Sequence, residues 1–179
     1  MKLFRIVIAS AILPLLLLSC NRQAPTPEKD WRAEFESILP LLGHRNWVAI
    51  TDMAYPLQSG EGIITLYADE PYTDVLKQTL DMIDKAPHVF PHIYHDTELE
   101  KITEEMVPGI EAFKRSIRDI CGDRETKQKH EDIIRRLDEA GELYTVVVIK
   151  TPLTTAYSST FLELDCAYWS AELEAAISE

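Results

Sequence analysis

Short apolar runs alternate with stretches of helical periodicity along this chain, and that alternation limits the possible folds more than any other feature. The apolar runs at 47–51, 63–67 and 143–149 are typical of strands that are covered on both faces. The stretches at 31–42 and 73–85 space apolar residues three or four positions apart, as helices with one buried face do. Strands that alternate with helices predict a layered α/β domain with a largely parallel sheet.

The other elements are predicted from shorter patterns and from the glycine and proline residues that end them. Pro87 ends the helix at 73–85, and Gly122 and Gly141 end two later helices. These later elements are an extended segment at 88–95, helices at 97–106, 109–121 and 126–140, a strand at 160–166 and a final helix at 167–177.

Length and charge narrow the class of protein. The 179 residues suit one domain, and a composition of 46% hydrophobic and 27% charged residues is that of a folded globular chain. The formal net charge is −12, with 30 acidic against 18 basic residues. Such a surface repels a phosphate backbone, so the composition argues against nucleic-acid binding and leaves neutral ligands open.

The first twenty residues have the pattern of a secretory signal. Lys2 and Arg5 precede an uncharged run that is too short for a spanning helix, and the run ends in the lipobox-like sequence Leu-Leu-Ser-Cys at Cys20. The sequence therefore predicts a lipoprotein signal peptide at 1–20, lipidation of Cys20, a linker at 21–30 and one domain at 31–179. This places the protein in the bacterial cell envelope, attached to a membrane through its N-terminal lipid anchor. The alternatives are an uncleaved membrane anchor and a cysteine that stands at position 20 by chance.

Two further cysteines, Cys121 and Cys166, would be exposed to an oxidising compartment. They allow one disulfide, but spacing in the sequence does not show whether their Cα atoms approach closely enough, so the pairing stays open.

The segment GHRNWVAITDMAYP, residues 43–56, places two polar groups at opposite ends of a predicted strand. Asp52 follows the strand, where ligands of parallel sheets usually bind, whereas His44 precedes it. A strand of this length separates the two by roughly 17 Å. His44 and Asp52 can therefore share a site only across subunits or through a bent connection.

The same segment resembles the entry motif of the D-ribose pyranase and L-fucose mutarotase family, which has a helix, Gly-His, a hydrophobic strand and an Asp eight residues after the His. The later segment VVIKTPLTTAYSSTFLEL, residues 147–164, is similar to that family's hydrophobic run, basic residue, turn and Tyr-Ala-Asn before a closing strand. The resemblance spans about residues 31–166. It implies a three-layer α/β/α sandwich, a homo-oligomer whose sites involve neighbouring subunits, and a ribose-like or fucose-like monosaccharide as substrate.

The resemblance also implies roles for individual residues. His44, Tyr157 and His130 would be catalytic, and Asp52 and Ser159 would bind substrate. The chain departs from the family where Ser159 replaces an asparagine, where Pro-Leu at 152–153 replaces Gly-Glu, and in the spacing between His130 and Tyr157. These departures leave an alternative function open, namely a non-catalytic sugar-binding or structural lipoprotein that keeps the fold.

The chemistry explains these residue types. A reducing sugar changes anomer or ring size when its anomeric hydroxyl loses a proton and its ring oxygen gains one, and no cofactor or metal is needed for that step. An imidazole exchanges protons near pH 7, which suits His44 as the main acid–base group, with Tyr157 as its partner. Asp52 and Ser159 would hold hydroxyl groups.

Each assignment has an ordinary structural alternative. His44 after Gly43 is also typical of a helix C-terminal cap or a surface residue, and Asp52 of a turn. Tyr157 would fit a strand edge. His130 lies on the apolar stripe of its predicted helix, where a boundary histidine is common.

Three histidines in HVFPHIYHD, residues 88–96, suggest a metal site as a competing hypothesis. Pro91 argues against a helix there, and in an extended strand His88 and His92 point to one side while His95 points to the other. The better prediction is a polar strand that lines the sugar pocket, with His92 as a substrate-binding residue and no metal.

Overall fold

The computed structural model describes residues 30–178, so the predicted signal peptide, Cys20 and nearly all of the linker lie outside the described residues. Six strands form one sheet in the described part of the chain. They are β1 (Trp47–Thr51), β2 (Ile63–Tyr67), β3 (Val89–Asp96), β4 (Glu125–Gln128), β5 (Val146–Lys150) and β6 (Thr160–Cys166). Their order across the sheet is β2-β5-β1-β6-β3-β4.

The sheet is largely parallel, as the sequence predicts. β5 pairs in parallel with β1 and β2, and β3 pairs in parallel with β4, whereas β6 is antiparallel to both of its neighbours, β1 and β3. All strands except β6 therefore point the same way. Their carboxyl ends meet at one edge of the sheet, and the amino end of β6 joins them there.

Helices cover both faces of this sheet and complete the three-layer α/β/α sandwich. The helices are α1 (Trp31–Ile38), α2 (Tyr72–Lys85), α3 (Ile110–Cys121), α4 (His130–Leu143) and α5 (Ala171–Ile177). Buried residues of α1, α2 and α3 pack in one core, and those of α4 pack in a second core on the opposite face.

The strands at the centre supply both cores because their side chains alternate in direction. Val48 and Ile50 of β1 belong to the core under α1–α3, whereas Trp47 and Ala49 belong to the core under α4. These four side chains are at most 2% exposed. A strand that is buried on both faces explains why the sequence shows a continuous apolar run at 47–51 and no alternation.

Two predicted helices are corrected by the structure. Only a short 3₁₀ turn, Leu99–Lys101, forms in the segment predicted as a helix at 97–106. The buried Lys114 on α3 explains the difference, because its Nζ donates to the carbonyl oxygens of Glu100 and Ile102 at 3.3 and 2.7 Å. These carbonyls are satisfied from outside the segment, so a continuing helix is not required.

The second correction concerns the helix predicted at 126–140. Its first residues form β4 instead, an edge strand that pairs with β3, and the helix α4 runs from His130 to Leu143. The strand predicted at 143–149 accordingly begins later, at Val146. β4 has the polar sequence Glu-Thr-Lys-Gln, which suits a solvent-facing edge but carries no apolar pattern.

Cys121 and Cys166 are both free thiols. Cys121 is buried in the core under α1–α3, whereas Cys166 is half-buried at the end of β6. Among residues 30–178, no helix has both the length and the apolar character that a membrane-spanning segment needs.

Candidate functional site

A cavity of about 570 Å³ opens at the edge of the sheet where the parallel strands end. Three parts of the structure build it: the loop after β1, the carboxyl end of β3 together with the first residue of α4, and the loop that leads into β6. Its lining residues are Asp52, Met53, Ala54, Tyr55, Pro56, Asp96, His130, Thr154, Thr155, Ala156, Tyr157 and Ser159. Four residues predicted as site residues, Asp52, His130, Tyr157 and Ser159, are thus brought to one cavity.

His130 is held in the wall of this cavity from two directions. It is the first residue of α4, and its backbone N–H donates to Glu98 Oε2 at 3.1 Å. Its ring Nδ1 lies 2.9 Å from Asp96 Oδ2. The other ring nitrogen, Nε2, has no hydrogen-bond partner among residues 30–178, and 31% of the side chain is exposed. The imidazole is therefore oriented and accessible.

Asp96 is the most unusual group at the site. Its side chain is 0% exposed, and its second oxygen, Oδ1, is buried without a hydrogen-bond partner in the described chain. Burial raises the pKa of Asp96 from 3.8 to about 6, although the hydrogen bond with His130 opposes that rise. A buried carboxylate with one free oxygen is costly, so its presence beside an accessible histidine indicates a functional environment.

Tyr157 stands next to His130 in a strained backbone conformation. Its φ of 56° lies in the left-handed region, which residues with a side chain seldom adopt. The tyrosine ring meets the His130 ring edge-on, with centroids 5.4 Å apart and an interplanar angle of 87°. In the same loop, Ser158 Oγ donates to the carbonyl oxygen of Thr155 at 2.7 Å. The loop thereby presents a phenol, 42% of which is exposed, beside the imidazole.

Asp52 both shapes a turn and lines the cavity, and these are the two roles that its position after β1 allows. Its Oδ1 accepts hydrogen bonds from the backbone N–H groups of Ala54 and Tyr55, at 2.7 and 3.1 Å, which shapes the turn after β1. The same residue lines the cavity, as does the buried Ser159. Burial, and to a smaller extent the charge of Asp138, raise the pKa of Tyr55 above its ordinary value.

His44 and His92 lie away from the cavity within one chain. They contact the same carboxylate: His44 Nδ1 is 2.6 Å from Asp165 Oδ1, and His92 Nε2 is 3.2 Å from Asp165 Oδ2. Partial burial raises the pKa of Asp165, but hydrogen bonds from Cys166 N–H, His92 and His44 outweigh it and lower the pKa. His44 precedes β1 and Asp52 follows it, so the full length of the strand separates them.

The three histidines of residues 88–96 do not converge. His88 Nε2 lies 3.1–3.2 Å from the carbonyl oxygens of Leu39 and Leu42, whereas His92 contacts Asp165. His95 is buried with Nε2 2.7 Å from Thr160 Oγ1. Between residues 30 and 178, no group of three or more His, Cys, Asp or Glu side chains is arranged to hold a metal ion. The three histidines therefore have separate partners and do not share a site within one chain.

Sequence reasoning missed Asp96 and Glu98, which hold the ring and the backbone of His130. A usable signal was present, because Asp96 ends the extended segment at 88–95 just as Asp52 ends the strand at 47–51. The rule that ligands gather at the carboxyl ends of parallel strands applies equally to both residues.

Comparisons with known proteins establish the fold. No protein-family model matches this chain, and no curated protein sequence does either. Bacillus subtilis RbsD complexed with D-ribose is similar in structure, with a TM-score of 0.54 and 16% identity, over 74% of this chain and 92% of that chain. Streptococcus pneumoniae fucose mutarotase in complex with L-fucose has a TM-score of 0.51 and 16% identity, over 80% and 97% of the two chains.

A third similar structure is FucU from Bifidobacterium longum, with a TM-score of 0.50 and 19% identity, over 74% of this chain and 92% of that chain. Identities this low carry information about the fold alone. The chain thus has the RbsD/FucU type of α/β fold, which agrees with the resemblance of its sequence motifs.

Proposed function

We propose that this protein interconverts the anomers or ring forms of a monosaccharide by acid–base catalysis in the cavity at the carboxyl edge of the sheet. The observation that carries the proposal is the pairing of two proton-transfer groups there, since the His130 and Tyr157 rings meet edge-on in its wall. The cavity volume of about 570 Å³ lies in the range typical of small-molecule sites. Two solved structures of the same fold hold ribose and fucose.

The reaction requires two proton transfers and one bond cleavage. A base removes the proton of the anomeric hydroxyl, the bond between the anomeric carbon and the ring oxygen breaks, and an acid protonates the ring oxygen to give the open aldehyde or ketone. Rotation and the reverse steps close the other anomer or ring size. His130 acts as the base through Nε2, and Tyr157 supplies the proton to the ring oxygen.

The remaining polar groups of the cavity position the sugar. Asp52 accepts hydrogen bonds from sugar hydroxyls, and Ser159 contributes a short hydroxyl where a longer asparagine amide stands in the resembled family. A serine hydroxyl extends less far into the cavity than an asparagine amide. This difference favours a sugar that differs from ribose and fucose near Ser159.

His44 enters the proposal only through assembly. In a homo-oligomer, a neighbouring copy would bring its His44 to the mouth of the cavity. His92 and Asp165 of that copy would accompany it, because Asp165 contacts both histidines. His44 would then serve as a second acid–base group, and His92 would support it or contact the sugar.

The lipid anchor at Cys20 is part of the same proposal and places the reaction in the bacterial cell envelope. Labelled palmitate is expected to enter the full-length protein in a bacterial host and to be absent from Cys20→Ser. Equal labelling of the two proteins, or no labelling of either, would refute the anchor without touching the proposal for the cavity.

The catalytic proposal is tested by magnetisation exchange in NMR spectra of a panel of monosaccharides. The purified domain, residues 21–179, is expected to accelerate exchange between anomers or ring forms of at least one sugar. His130→Ala and Tyr157→Phe should each lower the exchange rate by about 10²-fold or more, because each removes a positioned acid–base group.

Matched controls separate chemistry from damage to the fold. His88→Gln changes a histidine that contacts only main-chain carbonyls of the α1 region, and Tyr168→Phe removes a hydroxyl from a tyrosine that is 74% exposed near the C-terminus. Both should keep the wild-type rate. Equal rates in His130→Ala and wild type would refute the proposal.

A non-catalytic sugar-binding protein is the second candidate, favoured by the short Ser159 in the cavity wall. It predicts a different outcome of the same measurement: sugar resonances would broaden or shift on binding, while exchange between sugar forms would stay at the uncatalysed rate.

A further inference from the structure

Asp96 has no evident structural reason to be an acid. Its main chain continues the parallel ladder of β3 and β4 opposite Gln128, and this pairing does not depend on the side chain. The carboxyl group is completely buried, and only its Oδ2 has a partner, the Nδ1 of His130. Because an ion buried with an unpaired oxygen is unfavourable, a neutral residue would serve the fold better at this position.

The position of His130 supplies a reason for the charge. His130 is the first residue of α4, where the partial positive charge of the helix terminus disfavours a protonated imidazole. A carboxylate 2.9 Å from its Nδ1 offsets the helix terminus and stabilises the imidazolium.

The contact also selects the tautomer of the neutral ring. An ionised carboxylate can only accept, so a hydrogen bond to it requires Nδ1 to carry the proton. The lone pair then stays on Nε2, which has no hydrogen-bond partner in the described part of the chain. His130 lines the cavity, so the basic nitrogen is left for a ligand.

We propose that Asp96 is a positioning residue that fixes the Nδ1–H tautomer of His130 and makes Nε2 the base of the site. The proton of the sugar hydroxyl moves to Nε2, the O–H bond breaks as the N–H bond forms, and the imidazolium stays paired with the Asp96 carboxylate until it returns the proton. The role of the base rests on the proposed function, whereas the tautomer is a property of the protein alone.

The experiment has a structural and a kinetic arm. Two-bond ¹⁵N–¹H NMR spectra report the tautomer of each histidine, and His130→Gln identifies the His130 resonances. In the wild-type protein at neutral pH, His130 is expected to carry its proton on Nδ1. In Asp96→Asn the neutral amide oxygen is a weaker acceptor for Nδ1–H than a carboxylate, and the amide nitrogen can instead donate to Nδ1, so the population of the Nε2–H tautomer should rise.

The kinetic arm predicts that Asp96→Asn lowers the maximal exchange rate by at least about 100-fold, with a change in KM of less than about threefold, because a wrong tautomer impairs chemistry more than binding. Glu100→Gln is the matched control, since Glu100 is a carboxylate close to Asp96 in the sequence that contacts Lys127 and not His130. It should leave the tautomer and the rate unchanged.

The outcomes separate this inference from the proposed function. An Nε2–H tautomer in wild-type His130, which needs no variant to observe, would overturn the role of Asp96. So would an unchanged tautomer population in Asp96→Asn, or the same switch in Glu100→Gln. A protein that shows the predicted tautomers but no exchange of any sugar would refute the proposed reaction and leave the positioning role standing.

Discussion

Two aspartates at the carboxyl ends of the parallel strands β1 and β3 show how the local environment gives identical side chains different roles. Asp52 accepts two hydrogen bonds from the backbone of its own turn and remains partly exposed. Asp96 is fully buried beside His130, with an oxygen that no described group satisfies. Asp52 is therefore suited to accept a hydrogen bond from a ligand hydroxyl, whereas Asp96 is suited to respond to the protonation state of its neighbour.

The burial of Asp96 makes stability depend on pH. Because the pKa of this carboxyl is about 6 in the folded protein and near 3.8 when exposed, the folded state holds the proton more tightly. Below about pH 4 both states are protonated and there is no penalty. As the pH rises through 6, the folded protein carries a buried charge and loses stability.

Asp96→Asn removes that penalty and should raise the free energy of unfolding by about 2–3 kcal/mol at pH 7.5, with a far smaller gain at pH 4. Urea unfolding of both proteins across this pH range measures the difference. A gain that is the same at pH 4 and pH 7.5 would show that the effect does not come from ionisation. The stabilised variant is also the one expected to lose its activity, as often occurs when a strained site is relaxed.

The sequence predicted much of the cavity at the level of residues. Asp52, His130, Tyr157 and Ser159 were selected from motifs and do line one cavity. Asp96 was missed because a carboxylate at a strand end has no visible partner in sequence, and burial is a property of packing. Whether His44 and His92 act at a site depends on contacts beyond one chain.

At the level of elements, prediction succeeded where burial leaves an apolar pattern. The strand at 160–166 was predicted with the bounds that β6 has, and the helix predicted at 73–85 differs from α2 by one residue. It failed at β4, whose four residues pair on one side only and expose polar side chains. It failed again at 97–106, where Lys114 satisfies carbonyl groups from a distant helix. Both failures involve tertiary contacts that local periodicity does not contain.

At the scale of the whole molecule, polar groups gather at both ends of the strands. The cavity with His130 and Tyr157 lies at the carboxyl edge, and His44 lies at the opposite end of β1 from Asp52. If copies of the chain pack with opposite edges in contact, each site draws residues from two copies. That arrangement is the one implied by the proposed homo-oligomer.

Mixing two inactive variants tests this arrangement. His44→Ala and His130→Ala should each be inactive alone, and a mixture refolded together in equal amounts should regain about one quarter of the wild-type rate if each site takes one histidine from each of two copies. Exchange NMR with the most active sugar gives the rate.

Light scattering on each variant and on the mixture verifies that the assembly is unchanged. A mixture that stays inactive would indicate that both histidines come from the same copy. Full activity of His44→Ala alone would indicate that a single chain supplies the complete site.

The central position of β6 has a consequence for biosynthesis. Among the strands of residues 30–178, β6 comes last in the sequence, yet it lies between β1 and β3 and joins two groups of strands, β2-β5-β1 and β3-β4, that otherwise share no ladder. During synthesis, therefore, no ladder can join the two groups of strands before β6 has emerged, and the loop that carries Tyr157 can be anchored only then. Proteolytic trimming from the C-terminal side into β6 would divide the sheet between β1 and β3, so loss of the proposed sugar exchange would accompany loss of this strand.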